Sequence, residues 1–288
     1  MPQDIVYLNG NFLPVHEANV SVMDRGFLFG DGVYDVIPVY GGRAFRLEHH
    51  LQRLDLSLQG IRIANPLGHD QWADIFAALI QHNGGGDQSI YLQVTRGVAP
   101  TRDHSFPSAV QPTVFAMSTP LHESATAMQH GVAAVTVDDI RWKHCNIKAI
   151  TLLPNVLMRQ QALDAGAAEA ILLRDGYATE GAASNLFIVR QGIVSTPPKS
   201  NLLLPGITRD LVVELCHANN IPCRETDIGE AELRSADELW VSSSTREVVP
   251  VIELDGKAVG DGRPGPLWQH VSALYIAYKQ DFRAGKVH

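Results

Sequence analysis

Hydrophobic residues near the start of the chain come in short runs broken by turn residues. Ile5-Val6-Tyr7-Leu8 and Phe12-Leu13-Pro14-Val15 flank Asn9-Gly10, and residues 33–40 and 43–47 flank Gly41-Gly42. Asn-Gly and Gly-Gly supply the positive φ angles of two-residue turns, so the pattern predicts two hairpins. The period then lengthens. Leu51, Leu54 and Leu58 fall at i, i+3 and i+7, which predicts an amphipathic helix over residues 48–59, and a second is expected over 72–82. Residues 90–95 and 113–117 predict strands around a loop that carries Pro100, Pro107 and Pro112.

From Ser118 to His130 the periodicity lapses into Pro, His, Ser, Thr and Ala, which marks a linker. The expected organisation is therefore a smaller N-terminal α/β domain (1–119), a linker (120–130) and a larger C-terminal domain (131–288). In the second domain the pattern predicts strands at 132–137, 169–173, 186–189 and 239–242, and helices at 155–165, 208–218 and 265–282. Asp175-Gly176 and Gln191-Gly192 supply turns. Mixed strand and helix order places the fold in the α/β (α+β) class.

Composition narrows the function. With 45% hydrophobic and 19% charged residues the chain is globular, and the low charged fraction hints at surface buried in an oligomer. Its 23 basic against 31 acidic residues give a formal net charge of -8, which disfavours nucleic acid and anionic membrane as partners. Cys145, Cys216 and Cys223 form no CxxC pair, as expected of reduced thiols in a cytoplasm. There is no leader-like apolar stretch at the N-terminus and no run long enough to span a membrane. The twelve histidines include no His-x-x-x-His, and His49-His50 would point to different faces of a helix, so no metal site is expected. Markers of a serine hydrolase elbow and of a dinucleotide-binding turn are missing too.

Several residues remain as candidates for chemistry. Lys148 sits in the apolar run Ile147-Lys148-Ala149-Ile150, where the ammonium form is disfavoured and an amine nucleophile is possible; a strand-end lysine reaching solvent is the plainer reading. Leu204-Pro205-Gly206-Ile207-Thr208 leads into a helix whose free N–H groups suit an anion, and Ser242-Ser243-Ser244-Thr245 could add hydroxyl donors. Taken alone, Glu180 reads as a turn carboxylate and Arg53 as part of a solvated helix face.

Together these segments resemble the class IV (fold-type IV) pyridoxal-phosphate aminotransferases. Glu180-Gly181-Ala182-Ala183-Ser184-Asn185-Leu186-Phe187, Val194-Ser195-Thr196 and Leu204 to Arg209 follow that family's long spaced signature. Asp24-Arg25-Gly26 through Tyr34, Glu48 to Leu54, and Asp139-Ile140-Arg141-Trp142 with Ile147-Lys148 are similar as well, so the likeness covers essentially the whole chain. It implies two α/β domains with the cofactor, pyridoxal 5'-phosphate, between them. By this resemblance Lys148 bonds the cofactor and moves the proton at the substrate Cα, and Glu180 pairs with the pyridine nitrogen. Arg53, Ile207, Thr208, Ser243 and Ser244 would hold the phosphate.

Tyr34 and the loop Gly97 to Pro107 resemble those of the D-amino acid aminotransferases. There, an Arg-x-His pair from the partner subunit and a tyrosine grip the α-carboxylate, here Arg102, His104 and Tyr34. The implied activity is amino transfer from a D-amino acid to 2-oxoglutarate in a cytoplasmic homodimer. A branched-chain aminotransferase, an (R)-amine transaminase and an aminodeoxychorismate lyase share the fold and are the alternatives. Two departures from the family pattern stand out: Ala182-Ala183 where serines are usual, and Lys143-His144-Cys145-Asn146 in place of Leu-Arg-Cys-Asp.

Overall fold

The structure is a computed structural model and describes residues 4–121 and 125–287. The chain divides into two units. The first comprises Met1–His122, Ile147–Thr151 and Phe282–His288, and the second Glu123–Asn146 and Leu152–Asp281.

In the first unit β1 (Ile5–Leu8) and β2 (Asn11–Pro14) form the expected hairpin, with Asn9 and Gly10 at φ 48° and 95°. A short helix, α1 (Arg25–Phe29), leads to β3 (Gly32–Tyr40), and β4 is only Arg43–Ala44 because α2 (Leu47–Gly60) begins where the pattern suggested strand. Then come α3 (His69–His82), β5 (Gln88–Thr95) and β6 (Thr113–Pro120). Among the described residues these strands form one sheet in the order β2-β1-β6-β5-β3-β4. One face is dry: Val33 and Ile37 of β3 and Ile90, Leu92 and Val94 of β5 are fully buried in one cluster with Leu51, Leu54 and Leu58 of α2 and Trp72, Phe76 and Leu79 of α3. Strand side chains alternate between faces, so Tyr34, Tyr91, Gln93 and Phe115 project from the opposite, half-buried face.

The second unit begins with α4 (Ala125–His130), a helix within the segment expected to be a linker; residues 122–124 of that segment lie outside the described residues. It continues through β7 (Val132–Asp138), α5 (Leu153–Asp164), β8 (Glu169–Arg174), β9 (Tyr177–Gly181), β10 (Asn185–Arg190) and β11 (Ile193–Thr196). After these come α6 (Ile207–Ala218), β12 (Cys223–Glu225), β13 (Ile228–Gly229), α7 (Glu230–Arg234), β14 (Glu238–Ser243), β15 (Glu247–Leu254), β16 (Lys257–Ala258) and α8 (Pro266–Arg283). The sheet runs β12-β11-β10-β14-β15-β7-β8-β9-β13, with β16 on β15. It is mixed: β7 is parallel to both β8 and β15, while β10 and β14 are antiparallel. Leu186, Phe187, Ile188 and Val189 are all buried, as a strand covered on both faces requires. Asp175-Gly176 and Gln191-Gly192 close the β8–β9 and β10–β11 hairpins with positive φ at each residue. No helix among the described residues is long and apolar enough to cross a membrane.

Candidate active site

Lys148 belongs to the five residues, Ile147–Thr151, that pack with the first unit. They lie along the start of β3. Tyr34 N donates to Lys148 O at 2.9 Å, Ile150 N to Gly32 O at 3.1 Å, and Lys148 N to Ser57 Oγ of α2 at 3.2 Å. This leaves the Lys148 side chain half-buried, with Nζ 4.2 Å from the centroid of the Tyr34 ring. The amine thus lies over an aromatic face, which attracts a cation. Tyr34 itself stacks on Tyr91 at 5.7 Å, and burial together with Tyr34 pushes the Tyr91 hydroxyl up to about 12.

Arg53 is buried rather than solvated. One residue along β3 from Tyr34 the side chain points the other way, so Asp35 faces α2, where His50, Arg53 and Ser57 share the buried stripe. Arg53 Nε donates to Asp35 Oδ2 at 2.9 Å and Nη2 to Oδ1 at 2.6 Å, while His50 Nδ1 lies 2.9 Å from the same Oδ1. Burial opposes the Asp35 charge, yet Arg53 and His50 outweigh it and hold the carboxyl well below its usual range. Burial also lowers the His50 pKa, helped by Arg53 and Lys148 against the pull of Asp35. His49 is exposed, as the helix geometry predicted, and the described residues contain no cluster of metal-ligating side chains.

Arg102 and His104 are exposed on the loop between β5 and β6 and lie against Phe29: Arg102 Cζ is 5.0 Å from the ring centroid and the His104 ring 5.1 Å.

In the second unit Glu180, on β9, is buried in a cage of donors. Arg141 Nη1 donates to Oε1, Asn185 Nδ2 to Oε2 at 3.2 Å, and the Leu204 N–H to both oxygens at 3.2 and 3.1 Å. Arg141 is held in turn by Asp139, with Nε–Oδ1 and Nη2–Oδ2 both 2.9 Å. Burial nevertheless dominates and pushes Glu180 up to about 7, with Arg141 and the Leu204 amide pulling the other way. Asn185 joins two parts of this region. Its Nδ2 also donates to Leu204 O at 2.8 Å, and its Oδ1 would lie 1.9 Å from a Cβ added to Gly206, so only glycine fits before α6. Gly206 caps α6 with no side chain, leaving the N–H groups of Ile207 and Thr208 without an intrahelical acceptor. Ser243 and Ser244 are half-buried where β14 turns into β15, and the neighbouring Ser242 Oγ is buried with no protein partner.

Residues 32–254 match the family model for amino-transferase class IV. The chain belongs to the class IV aminotransferases. It is 41% identical to D-alanine aminotransferase of Bacillus licheniformis, over 92% of this chain and 94% of that protein. It is 38% identical to the D-alanine aminotransferase of Staphylococcus haemolyticus, over 95% and 97%. Among solved structures, the branched-chain amino acid aminotransferase of Escherichia coli superposes with a TM-score of 0.91 at 28% identity, covering 96% of this chain and 94% of that one.

A class IV aminotransferase depends on pyridoxal phosphate, and the donor set fits that group. The open first turn of α6, the bare backbone at Gly206 and the orphaned Ser242 hydroxyl provide donors for an anion in the second unit. A buried carboxylate held by an arginine can accept from a cationic ring nitrogen. Asp35, His50, Asp139, Arg141 and Asn185 carry no role in the sequence reading. The available signal was parity: Asp35 alternates with Val33 and Ile37 on the dry face of a strand. As for the departures, Ala182 is packed in an apolar cluster with Val137 and Met158, whereas Ala183 is exposed. Lys143, His144 and Asn146 are exposed and Cys145 is buried.

The raised pKa of Glu180 has a measurable sign. Between the ordinary value of 4.5 and about 7 the folded, cofactor-free protein holds a proton that the unfolded chain has lost. Stability is thus fully present below pH 4.5 and is lost as pH rises towards 7, by up to roughly 1 kcal/mol per pH unit from this group. Thermal melts of cofactor-free protein between pH 5 and 7 are expected to fall more steeply than those of Glu180→Gln; parallel curves would refute the assignment.

Proposed function

We propose that the protein is a D-amino acid transaminase, moving the amino group of a D-amino acid such as D-alanine to 2-oxoglutarate and releasing a 2-oxo acid and D-glutamate in a ping-pong cycle. The likeness to D-alanine aminotransferases over nearly the whole chain supports this. The observation that carries it is the placement of the Lys148 amine over the face of the Tyr34 ring, which sets the group assigned to proton transfer against the side chain assigned to the carboxylate.

In this reading Lys148 covalently anchors the cofactor, and Arg53, Ile207, Thr208, Ser243 and Ser244 hold its phosphate. Asp35 and His50 fix the plane of Arg53 so that the guanidinium meets the anion without losing further freedom. Glu180 keeps the pyridine nitrogen protonated, and Arg141, itself held by Asp139, favours the charged form of Glu180 against its burial. Bound pyridoxal phosphate supplies the electron sink that makes the substrate Cα–H acidic. Lys148 would carry that proton from the substrate Cα to the cofactor C4′, and the other half of the cycle would run the same transfer in reverse. Tyr34 grips the α-carboxylate with Arg102 and His104, and the exposure of the latter two suits their delivery to the other subunit of a homodimer. A reducing cytoplasm suits the three unpaired thiols.

With the carboxylate fixed and the amine acting from one face, only one enantiomer presents its Cα–H productively. Half-reaction spectra with D-alanine, L-leucine and (R)-1-phenylethylamine test the reading. D-alanine is expected to react on the order of 10²-fold faster than L-leucine. Equal or faster reaction of L-leucine would make the protein a branched-chain enzyme, in line with the likeness to the Escherichia coli structure.

A further inference from the structure

The Arg102 loop is long and exposed, and a buried side chain holds the backbone of its tip. Both of its ends are tied to the start of α1: Asp24 bridges Val98, Arg25 N donates to Gly97 O at 2.9 Å, and Thr113 Oγ1 donates to Asp24 Oδ2 at 2.6 Å. Its tip is tied there too. The Arg25 guanidinium, only 3% exposed, donates from Nη1 to Asp103 O at 2.6 Å and to Ser105 O at 3.3 Å, and from Nη2 to His104 O at 3.4 Å. Its Nε is fixed by Asp31 Oδ2 at 2.8 Å, and Asp31 is shared with Arg96, whose guanidinium lies 3.7 Å from the Phe106 ring centroid. The Phe29 ring takes the Arg25 Cζ at 4.8 Å and the Arg102 Cζ at 5.0 Å. Three successive carbonyls of an exposed loop are therefore gripped by one charged fork, and a planar guanidinium is the side chain that can do this.

We propose that Arg25 is a positioning residue for substrate carboxylate recognition: by fastening the Asp103–Ser105 backbone it holds the Arg102 and His104 side chains in the geometry that grips the carboxylate. The proposal rests on the reading of Arg102 and His104 given above. Arg25 does not touch the substrate. Its contribution is to remove from the loop the freedom that each binding event would otherwise have to freeze.

Arg25→Ala leaves Asp31 paired with Arg96 through bonds of 2.8 and 3.0 Å, so no buried carboxylate is orphaned and the fold is retained. In the holoenzyme, Arg25→Ala is expected to raise KM for D-alanine and 2-oxoglutarate about 10- to 100-fold with a much smaller change in kcat. Cofactor affinity, read from visible absorbance, stays within about 2-fold. Arg25→Lys keeps the charge but not the fork and recovers only part of the loss. If Arg25 acts through Arg102, the kcat/KM losses of Arg25→Ala and Arg102→Ala do not multiply in the double variant. Hydrogen exchange over residues 97–112, measured on substrate-free holoenzyme, is faster in Arg25→Ala.

Multiplying losses, or a fall in kcat with KM unchanged, would overturn the positioning role, and unchanged exchange would overturn the anchor itself. Wild-type kcat/KM in Arg102→Ala would overturn the carboxylate assignment and with it the catalytic half of the proposal. The exchange measurement uses no substrate, so it separates the two failures.

Discussion

Replacing Lys148 with alanine is expected to cost the transamination rate a factor of about 10³ or more, because in the proposed function it would remove both the covalent anchor and the base at Cα. The backbone of Ile147–Thr151 should be little disturbed. Its hydrogen bonds to Tyr34, Gly32 and Ser57 are made by main-chain atoms of residues 148 and 150 that alanine retains. The variant should therefore fold and still bind the cofactor through the groups assigned to the phosphate. Borohydride reduction followed by peptide mass analysis distinguishes the two proteins: the cofactor remains on the Lys148 peptide of the native chain and on no peptide of the variant. Turnover of D-alanine at the native rate, or a reduced adduct on another lysine, would remove Lys148 from the centre of the proposal.

The second large effect is expected at Glu180. Glutamine keeps the size of the side chain but replaces one acceptor oxygen with an amide, in a cage where Arg141, Asn185 and the Leu204 N–H all donate. At least one buried donor then faces another donor, and Arg141 loses one of its two carboxylates. Without its negative charge residue 180 would no longer hold a proton on the nitrogen of a bound pyridine ring, and the acidity that the cofactor would lend to the substrate Cα–H would fall. A drop on the order of 10²-fold in each half-reaction follows, as for removal of other electrostatic partners of developing charge. Lysine attachment of the cofactor is unaffected, since Lys148 is untouched. Half-reaction rates equal to those of the native protein would rule out a role for Glu180 in holding that proton.

Much of the scaffold is legible in the chain because it is periodic. Leu51, Leu54 and Leu58 mark α2, and Asn9-Gly10, Asp175-Gly176 and Gln191-Gly192 mark their hairpins, since each depends on local geometry alone. Elements escape where that link fails. α1 is five residues long with a glycine at its second position, too short for a stripe to show. β15 carries Pro250 and is buried on both faces, so it neither alternates nor avoids a strand breaker.

The site divides in the same way. Glu180 and Gly206-Ile207-Thr208 sit in a spaced signature, and Lys148 is assigned by the same resemblance from a segment upstream of it. Asp35, Asp139 and Arg141 act through partners distant in sequence or in a bend of the chain, and ion pairing of that kind leaves no period behind. The buried Arg25 shows this most plainly: its partners in the loop lie 78 to 80 residues away.

The first unit is discontinuous, and this has a consequence for how the protein is made. Its sheet is complete once residue 121 has left the ribosome, but Ile147–Thr151 and Phe282–His288 belong to the same unit. Arg43 waits for the Phe282 carbonyl, at 2.8 Å, and Asp87 for Arg283. At translation speeds of roughly 5–20 residues per second, the N-terminal unit is held incomplete for on the order of ten seconds while the whole second unit is synthesised. Vectorial folding therefore cannot finish the first unit first. A polypeptide cut after residue 122 would leave Lys148 on the other fragment, so its side chain can be restored to β3 only by complementation between the pieces.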